Sequence, residues 1–104
     1  MSDADIDKEF RNMVDSFIDL ANKHSDKNNR ENVSMALLYA AARFNSFIVA
    51  THAPDQKKYE TDREAAFEFF SREYKRMLNE NLDDYKKIYD GNLQYAHLMT
   101  KRPN

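Results

Sequence analysis

One stretch of this chain, from Val33 to Ala53, is apolar almost throughout, with the sequence VSMALLYAAARFNSFIVATHA. It contains a single charged side chain, that of Arg43, and an amide two residues later at Asn45. A helix that is apolar on every side is normally covered by other protein or by a membrane. We therefore expect the rest of this small protein to pack around the segment from Val33 to Ala53.

A membrane location is disfavoured, although this segment reaches the length of a membrane span. Arg43 and Asn45 lie near its centre, where a charged or polar side chain costs several kcal/mol on the harsher estimates. The N-terminal sequence MSDADIDKEF is acidic and lacks the basic start and apolar run of a secretory signal. We expect a cytoplasmic protein that has no membrane partner.

The composition predicts a single all-α domain covering residues 1–104. A chain of 104 residues and 12.3 kDa is the size of one domain. It has one Gly and two Pro, whereas sheets and tight hairpins need these residues at their turns. The absence of Cys excludes disulfides and thiolate chemistry. A net charge of −2 gives no electrostatic reason to expect a nucleic-acid partner.

Apolar residues at spacings of three and four predict the first of three helices, at about residues 5–24. Helix 2 is expected at about residues 31–52, because Asn28 and Glu31 have the spacing of a capping box and Pro54 disfavours helix in the residue before it. The residues on the stripe of helix 1 are Ile6, Phe10, Met13, Val14, Phe17, Ile18 and Ala21.

Helix 3 is expected at about residues 61–90, followed by a tail at residues 91–104. Thr61 and Glu64 offer a second capping box, and Gly91, the only glycine, lies where a C-terminal cap belongs. Between them runs one apolar stripe. Its members are Ala66, Phe67, Phe70, Tyr74, Met77, Leu78, Leu82, Tyr85, Ile88 and Tyr89.

Helix 3 is too long for its two partners. At 1.5 Å per residue, helices 1 and 2 are each roughly 30 Å long and helix 3 is roughly 45 Å long. In an up-down-up three-helix bundle, Leu82, Tyr85, Ile88 and Tyr89 then project beyond the other helices. The chain either breaks near residues 79–84, with Asn81 capping a short fourth helix, or docks this end on a second copy. Since no Gly or Pro marks a break, we favour the homodimer, with Phe69, which lies off the main stripe, as a further interface residue.

A helical wheel separates the two polar residues of the apolar segment. Asn45 falls within the cluster of large apolar side chains, and His52 lies on the same line two turns later. Arg43 falls on the opposite side. A buried amide needs hydrogen-bond partners, and by level Asn45 should lie near Phe10 to Met13 on helix 1 and near Phe67 to Phe70 on helix 3. The pattern favours a register-fixing role for Asn45 and a salt bridge for Arg43. All three residues are nonetheless the candidate ligand-binding residues.

Metal sites, cofactors and catalysis are not expected. His24 and His52 end different helices, roughly 25 to 30 Å apart in an antiparallel pair, and no His has the Glu three residues before it that di-iron bundles use. No nucleophile–His spacing or Gly-rich phosphate loop is present, so no catalytic residue is assigned. Six Tyr and seven Phe fit core packing. The alternative is a carrier of a small ligand or haem, with a pocket near Asn45 and His52.

Three segments of the chain resemble a known family. They are DADIDKEF at positions 3–10, YAAARFN at 39–45 and YKRMLNENLDDY at 74–85. Together they are similar to a family of small uncharacterised bacterial proteins, a domain of unknown function found mainly in proteobacteria, over about Asp3 to Tyr89. The resemblance implies a helical cytoplasmic bacterial protein and transfers no activity. A non-enzymatic, homo-oligomerising interaction module is therefore the function we expect.

Overall fold

The computed structural model describes residues 3–91 of the chain, with side chains from Asp7 onward. Within that range the chain forms three α-helices and no strand: α1 (Asp3–Ser25), α2 (Arg30–Thr51) and α3 (Gln56–Tyr89). The all-α prediction and the number of helices are confirmed for these residues. The predicted tail lies outside the described residues from position 92 onward.

Asn29 caps the start of α2. Its Oδ1 accepts hydrogen bonds from the backbone N–H groups of Glu31 at 2.9 Å and Asn32 at 3.2 Å, which satisfies two of the free donors at a helix N-terminus. The predicted cap at Asn28 is wrong by one residue. The Asn28 amide instead donates to the His24 carbonyl oxygen at 2.8 Å, at the end of α1.

Asp55 caps the start of α3, six residues before the predicted cap at Thr61. The backbone of Asp55 is extended, with φ −152°, and its carboxylate accepts from the Lys58 N–H at 2.8 Å. Pro54 stops α2 from continuing, so Asp55 can cap the next helix at once. Thr61 lies inside α3, where its hydroxyl donates to the Lys57 carbonyl oxygen. The pattern Thr61–Glu64 has the form of a capping box without its geometry.

Helix α3 is continuous over 34 residues. The possible short fourth helix is wrong, because the Asn81 amide donates to the Met77 carbonyl oxygen one turn back and the helix passes unbroken through residues 79–84. The predicted end at Gly91 is confirmed. Its φ is +85°, a left-handed conformation that glycine adopts without strain, and its N–H donates to the Ile88 carbonyl oxygen at 3.0 Å.

The described residues form two compact units that meet inside α2, between Ala40 and Ala41. The first unit holds α1 and the first half of α2, and the second holds the rest of α2 and α3. In the second unit, half-buried residues mark the packed faces. On the α2 side these are Asn45, Val49 and Ala53, and on α3 they are Tyr59, Asp62, Ala66, Phe70, Glu73, Asp84, Tyr85 and Ile88.

No residue from Asp7 to Gly91 is buried. Large apolar side chains are exposed on all three helices, including Phe17 on α1, Tyr39 on α2 and Phe67 on α3, each more than 60% exposed. Within the described range, the expectation that the chain covers the segment from Val33 to Ala53 is therefore wrong.

Candidate functional site

The second unit contains an open groove between α2 and α3. Its volume is about 320 Å³, at the lower end of the range for ligand pockets. Residues from α2 and from the first half of α3 line it together. They are Ala42, Asn45, Ser46 and Val49 on α2, and Tyr59, Arg63, Ala66, Phe67, Phe70 and Ser71 on α3.

Helical spacing brings the α3 residues of the groove onto one face. Tyr59, Arg63, Ala66 and Phe70 follow each other at intervals of four, three and four residues, so their side chains share one side of the helix. Tyr59, Ala66 and Phe70 are half-buried, and so is Val49 on α2. The groove therefore has an apolar floor built from both helices.

Three polar side chains that line the groove have no partner among the described residues. The amide of Asn45 and the hydroxyls of Tyr59 and Ser71 make no hydrogen bond with any of them. The Ser46 hydroxyl differs, because it donates to the Ala42 carbonyl oxygen at 2.8 Å. Asn45 is half-buried, where water reaches an unpaired amide less freely than at an open surface.

Arg63 is the only charged residue among those that line this groove. Its Nη1 lies 2.8 Å from Oε1 of the adjacent Glu64, and both side chains are mostly exposed. An exposed pair of this kind contributes about 0–1 kcal/mol. A second anion in the groove can therefore displace Glu64 at little cost.

The structure places only one of the three predicted ligand residues in the groove. Asn45 lines it, while Arg43 and His52 are exposed and do not. His52 follows the last residue of α2, and its backbone N–H donates to the Val49 carbonyl oxygen. The sequence analysis did not identify Arg63 and Tyr59 as candidate site residues. Tyr59 preceded the predicted start of helix 3, and Arg63 was not recognised as a member of the stripe that contains Phe67 and Phe70.

The predicted interface residues lie on α3. Leu82 is 58% exposed and Tyr89 is 84% exposed, while Tyr85 and Ile88 are half-buried. Phe69 is also exposed; its ring meets the Phe70 ring edge-on at 5.3 Å between centroids. The guanidinium of Arg72 lies 5.9 Å from the Phe69 centroid. Two of the five residues thus offer large free apolar surface at the distal end of α3.

Other features of the described residues provide no built site. A shallow cleft of about 290 Å³ in the first unit is lined by His24, Asn28, Asn32, Val33 and Ala36. Among the side chains described, no three His, Asp or Glu residues converge to hold a metal ion, and His97 lies outside them. Hydrogen bonds to Glu73 and then to Glu80 raise the pKa of Arg76, a pairing confined to the exposed surface of α3.

By length and composition, α2 is the one helix in the described range that could cross a membrane. No residue of its most apolar window is buried. The core helix of a soluble protein passes the same test, and the polar pair Arg43 and Asn45 sits in this helix.

Comparison with known proteins identifies a family and nothing more specific. No curated protein matches the chain, and no solved structure matches it. A family model described as a protein of unknown function, DUF3144, matches residues 10–86. This range contains the segments at 39–45 and 74–85 and begins at the last residue of the segment at 3–10. It takes in all of α2, α1 from Phe10 onward and α3 up to Lys86. The chain therefore belongs to the DUF3144 family.

Proposed function

We propose that this protein is a non-enzymatic interaction module that assembles as a homodimer. The observation that carries the proposal is α2, which is apolar around its whole circumference and has no buried residue. Helices α1 and α3 also carry exposed apolar stripes, which increase the apolar surface that is left in water. Soluble monomers rarely expose continuous apolar patches larger than a few hundred Å².

The charges on α3 favour a second copy of the chain as the partner that covers these apolar faces. Helix α3 carries eight basic and eight acidic side chains, so two copies of α3 can lie side by side without net repulsion. A membrane is less suited to cover these apolar faces, because the charged side of α3 would have to leave water. A twofold axis near Leu82 and Tyr89 would cover the free apolar end of each α3 with the same end of its partner.

Molecular mass in solution tests this proposal directly. We expect the protein to sediment at twice 12.3 kDa across micromolar concentrations. The double variant Leu82→Lys with Tyr89→Lys should shift the mass towards the monomer, because each lysine would be placed inside the interface. The matched control is Asn79→Lys with Glu68→Lys, two exposed positions on the polar side of α3.

Circular dichroism on the same samples separates dissociation from unfolding. A wild-type protein that remains monomeric up to millimolar concentration would overturn the proposal. So would a control that dissociates as readily as the Leu82 and Tyr89 variant.

We further propose that the dimer acts in the bacterial cytoplasm, on the basis of the polar pair Arg43 and Asn45 within α2. Cell fractionation should recover the protein in the soluble fraction. Recovery in membranes that have been washed with alkaline carbonate would assign α2 to the bilayer instead and would contradict this location.

A further inference from the structure

We propose that the groove of the second unit binds a small amphipathic carboxylate, such as a short fatty acid or an aromatic acid. This site is independent of the proposed homodimer, because the groove is formed within one chain by α2 and α3. The ligand class follows from three properties of the groove: its size and apolar floor, its single charge, and its unpaired polar groups.

The apolar floor fits a short hydrocarbon or one aromatic ring. Val49, Ala66 and Phe70 are half-buried along it, and Phe67 stands at its edge 64% exposed. A volume of about 320 Å³ admits a molecule of this size and not a large cofactor. Covering the Phe67 ring with a ligand removes apolar surface from water at about 25 cal/mol per Å².

The charge in the groove selects an anion. Arg63 is its only charged lining residue, and a guanidinium binds a carboxylate through two parallel N–H donors. Asp62, which precedes Arg63 in the chain, is paired with Lys58: the Lys58 Nζ lies 2.8 Å from the Asp62 Oδ1. Glu64 is the present partner of Arg63, and a carboxylate on the ligand takes its place.

The unpaired groups supply the remaining contacts. The Asn45 amide can donate and accept, and the hydroxyls of Tyr59 and Ser71 can do both. They line the same groove as Arg63 and make no hydrogen bond with any described residue. A bound carboxylate thus finds one charged donor and up to three neutral ones around an apolar floor.

Calorimetric titration of the full chain with matched probes tests the ligand class. Hexanoate and benzoate are the anionic probes, and hexanamide and benzamide are their neutral counterparts. We expect each acid to bind at least tenfold more tightly than its amide, and the difference to shrink at high salt. Equal binding of acids and amides, or no heat from any probe at millimolar concentration, would overturn the proposal.

Two substitutions locate the site. Arg63→Gln should weaken acid binding at least tenfold and leave amide binding unchanged, while Asn45→Leu should weaken both. The control is Arg72→Gln, an arginine on the same helix that lies over Phe69 and does not line the groove. If Arg72→Gln loses as much affinity as Arg63→Gln, the acids bind by general charge attraction and the groove is not their site.

Sedimentation and circular dichroism on each variant test whether its fold and its mass are retained. Because they also report the oligomeric state, a failed homodimer proposal and a failed ligand proposal give different results.

Discussion

Helices α2 and α3 are both without buried residues, yet exposure has a different meaning for each. Arg43 is the only charged residue between Asn32 and Ala53, and most other side chains of α2 in this stretch are apolar. Helix α3 has an apolar stripe on one side and sixteen charged side chains over its length. Water solvates the charged side of α3 well and solvates no side of α2 well.

This difference separates two sources of helix stability. Helix α3 has local support from its own sequence: an N-terminal cap, a glycine at its C-terminal end and surface ion pairs such as Lys58–Asp62. Helix α2 has a cap at Asn29, and Arg43 is the only charged residue in its stretch from Asn32 to Thr51. Its stability must come from tertiary or quaternary burial, which provides most helix stability in proteins.

The largest effect is expected from a charge placed on α2. Ile48→Asp puts an unpaired carboxylate on a face that the proposed homodimer would enclose, at a cost of roughly 3–5 kcal/mol. Asn79→Asp introduces the same charge on the exposed side of α3 and should change the free energy of unfolding by about 0.5 kcal/mol or less. Urea unfolding of both variants measures the contrast. Equal effects would remove the distinction between the two helices.

Removal of the α3 cap should have the next largest effect. Asp55→Ala deletes the acceptor of the Lys58 N–H and should cost about 1 kcal/mol. Thr61→Ala is the matched control, because Thr61 lies inside the helix and alanine has the higher helix propensity. Thermal melting should show a clear loss for the first variant and none for the second. A loss at Thr61 instead would return the start of α3 to the position that the sequence pattern indicated.

The C-terminal end of α3 provides a backbone test of similar or smaller size. Gly91→Ala forces a side chain into a φ of +85°, where nothing lies within 4 Å of the added carbon, so the cost of about 1 kcal/mol is one of conformation alone. Gly91→Asn should cost less, since Asn tolerates the left-handed region. Amide hydrogen exchange near residues 85–90 reports the fraying of this end. Identical exchange in both variants would contradict a left-handed cap.

The smallest effect is expected at the surface ion pair. Lys58→Gln breaks the 2.8 Å contact with Asp62 and should reduce the free energy of unfolding by about 0.5 kcal/mol or less, with the difference vanishing in high salt. A loss comparable to that of Asp55→Ala would mean that α3 depends on its surface charges more than on its cap. Melting at two salt concentrations distinguishes the cases.

The sequence predicted the helices well and their starting points less well. Apolar spacing located all three helices, and Gly91 marked the end of α3 correctly because only glycine is favoured at a φ of +85°. The start of α2 was misplaced because adjacent residues can offer the same cap, and the start of α3 because Thr61 and Glu64 have the spacing of a capping box inside the helix. Asn28 and Asn29 are chemically identical, and only the backbone geometry decides that Asn29 accepts the N–H bonds.

The candidate site was only partly predictable. Asn45 stood out as an amide within an apolar cluster, which a helical wheel detects. Tyr59 could not be placed until α3 was known to begin at Gln56, because a residue outside a helix has no helical face. Arg63 lay inside the predicted helix, but a charged residue does not stand out on an apolar stripe. The lack of burial could not be predicted from the sequence either. An apolar pattern indicates that a surface should be covered, but it does not indicate which molecule covers it.

The order of the helices along the chain has a consequence for synthesis. Helix α2 leaves the ribosome before any residue of α3, the helix with which it builds the groove. At about 5–20 residues per second, the 34 residues of α3 take roughly 2 to 7 s to follow. During that interval α2 has only α1 from its own chain to shield its apolar surface. A newly made chain is therefore most exposed to aggregation, and most in need of a chaperone, before α3 is complete.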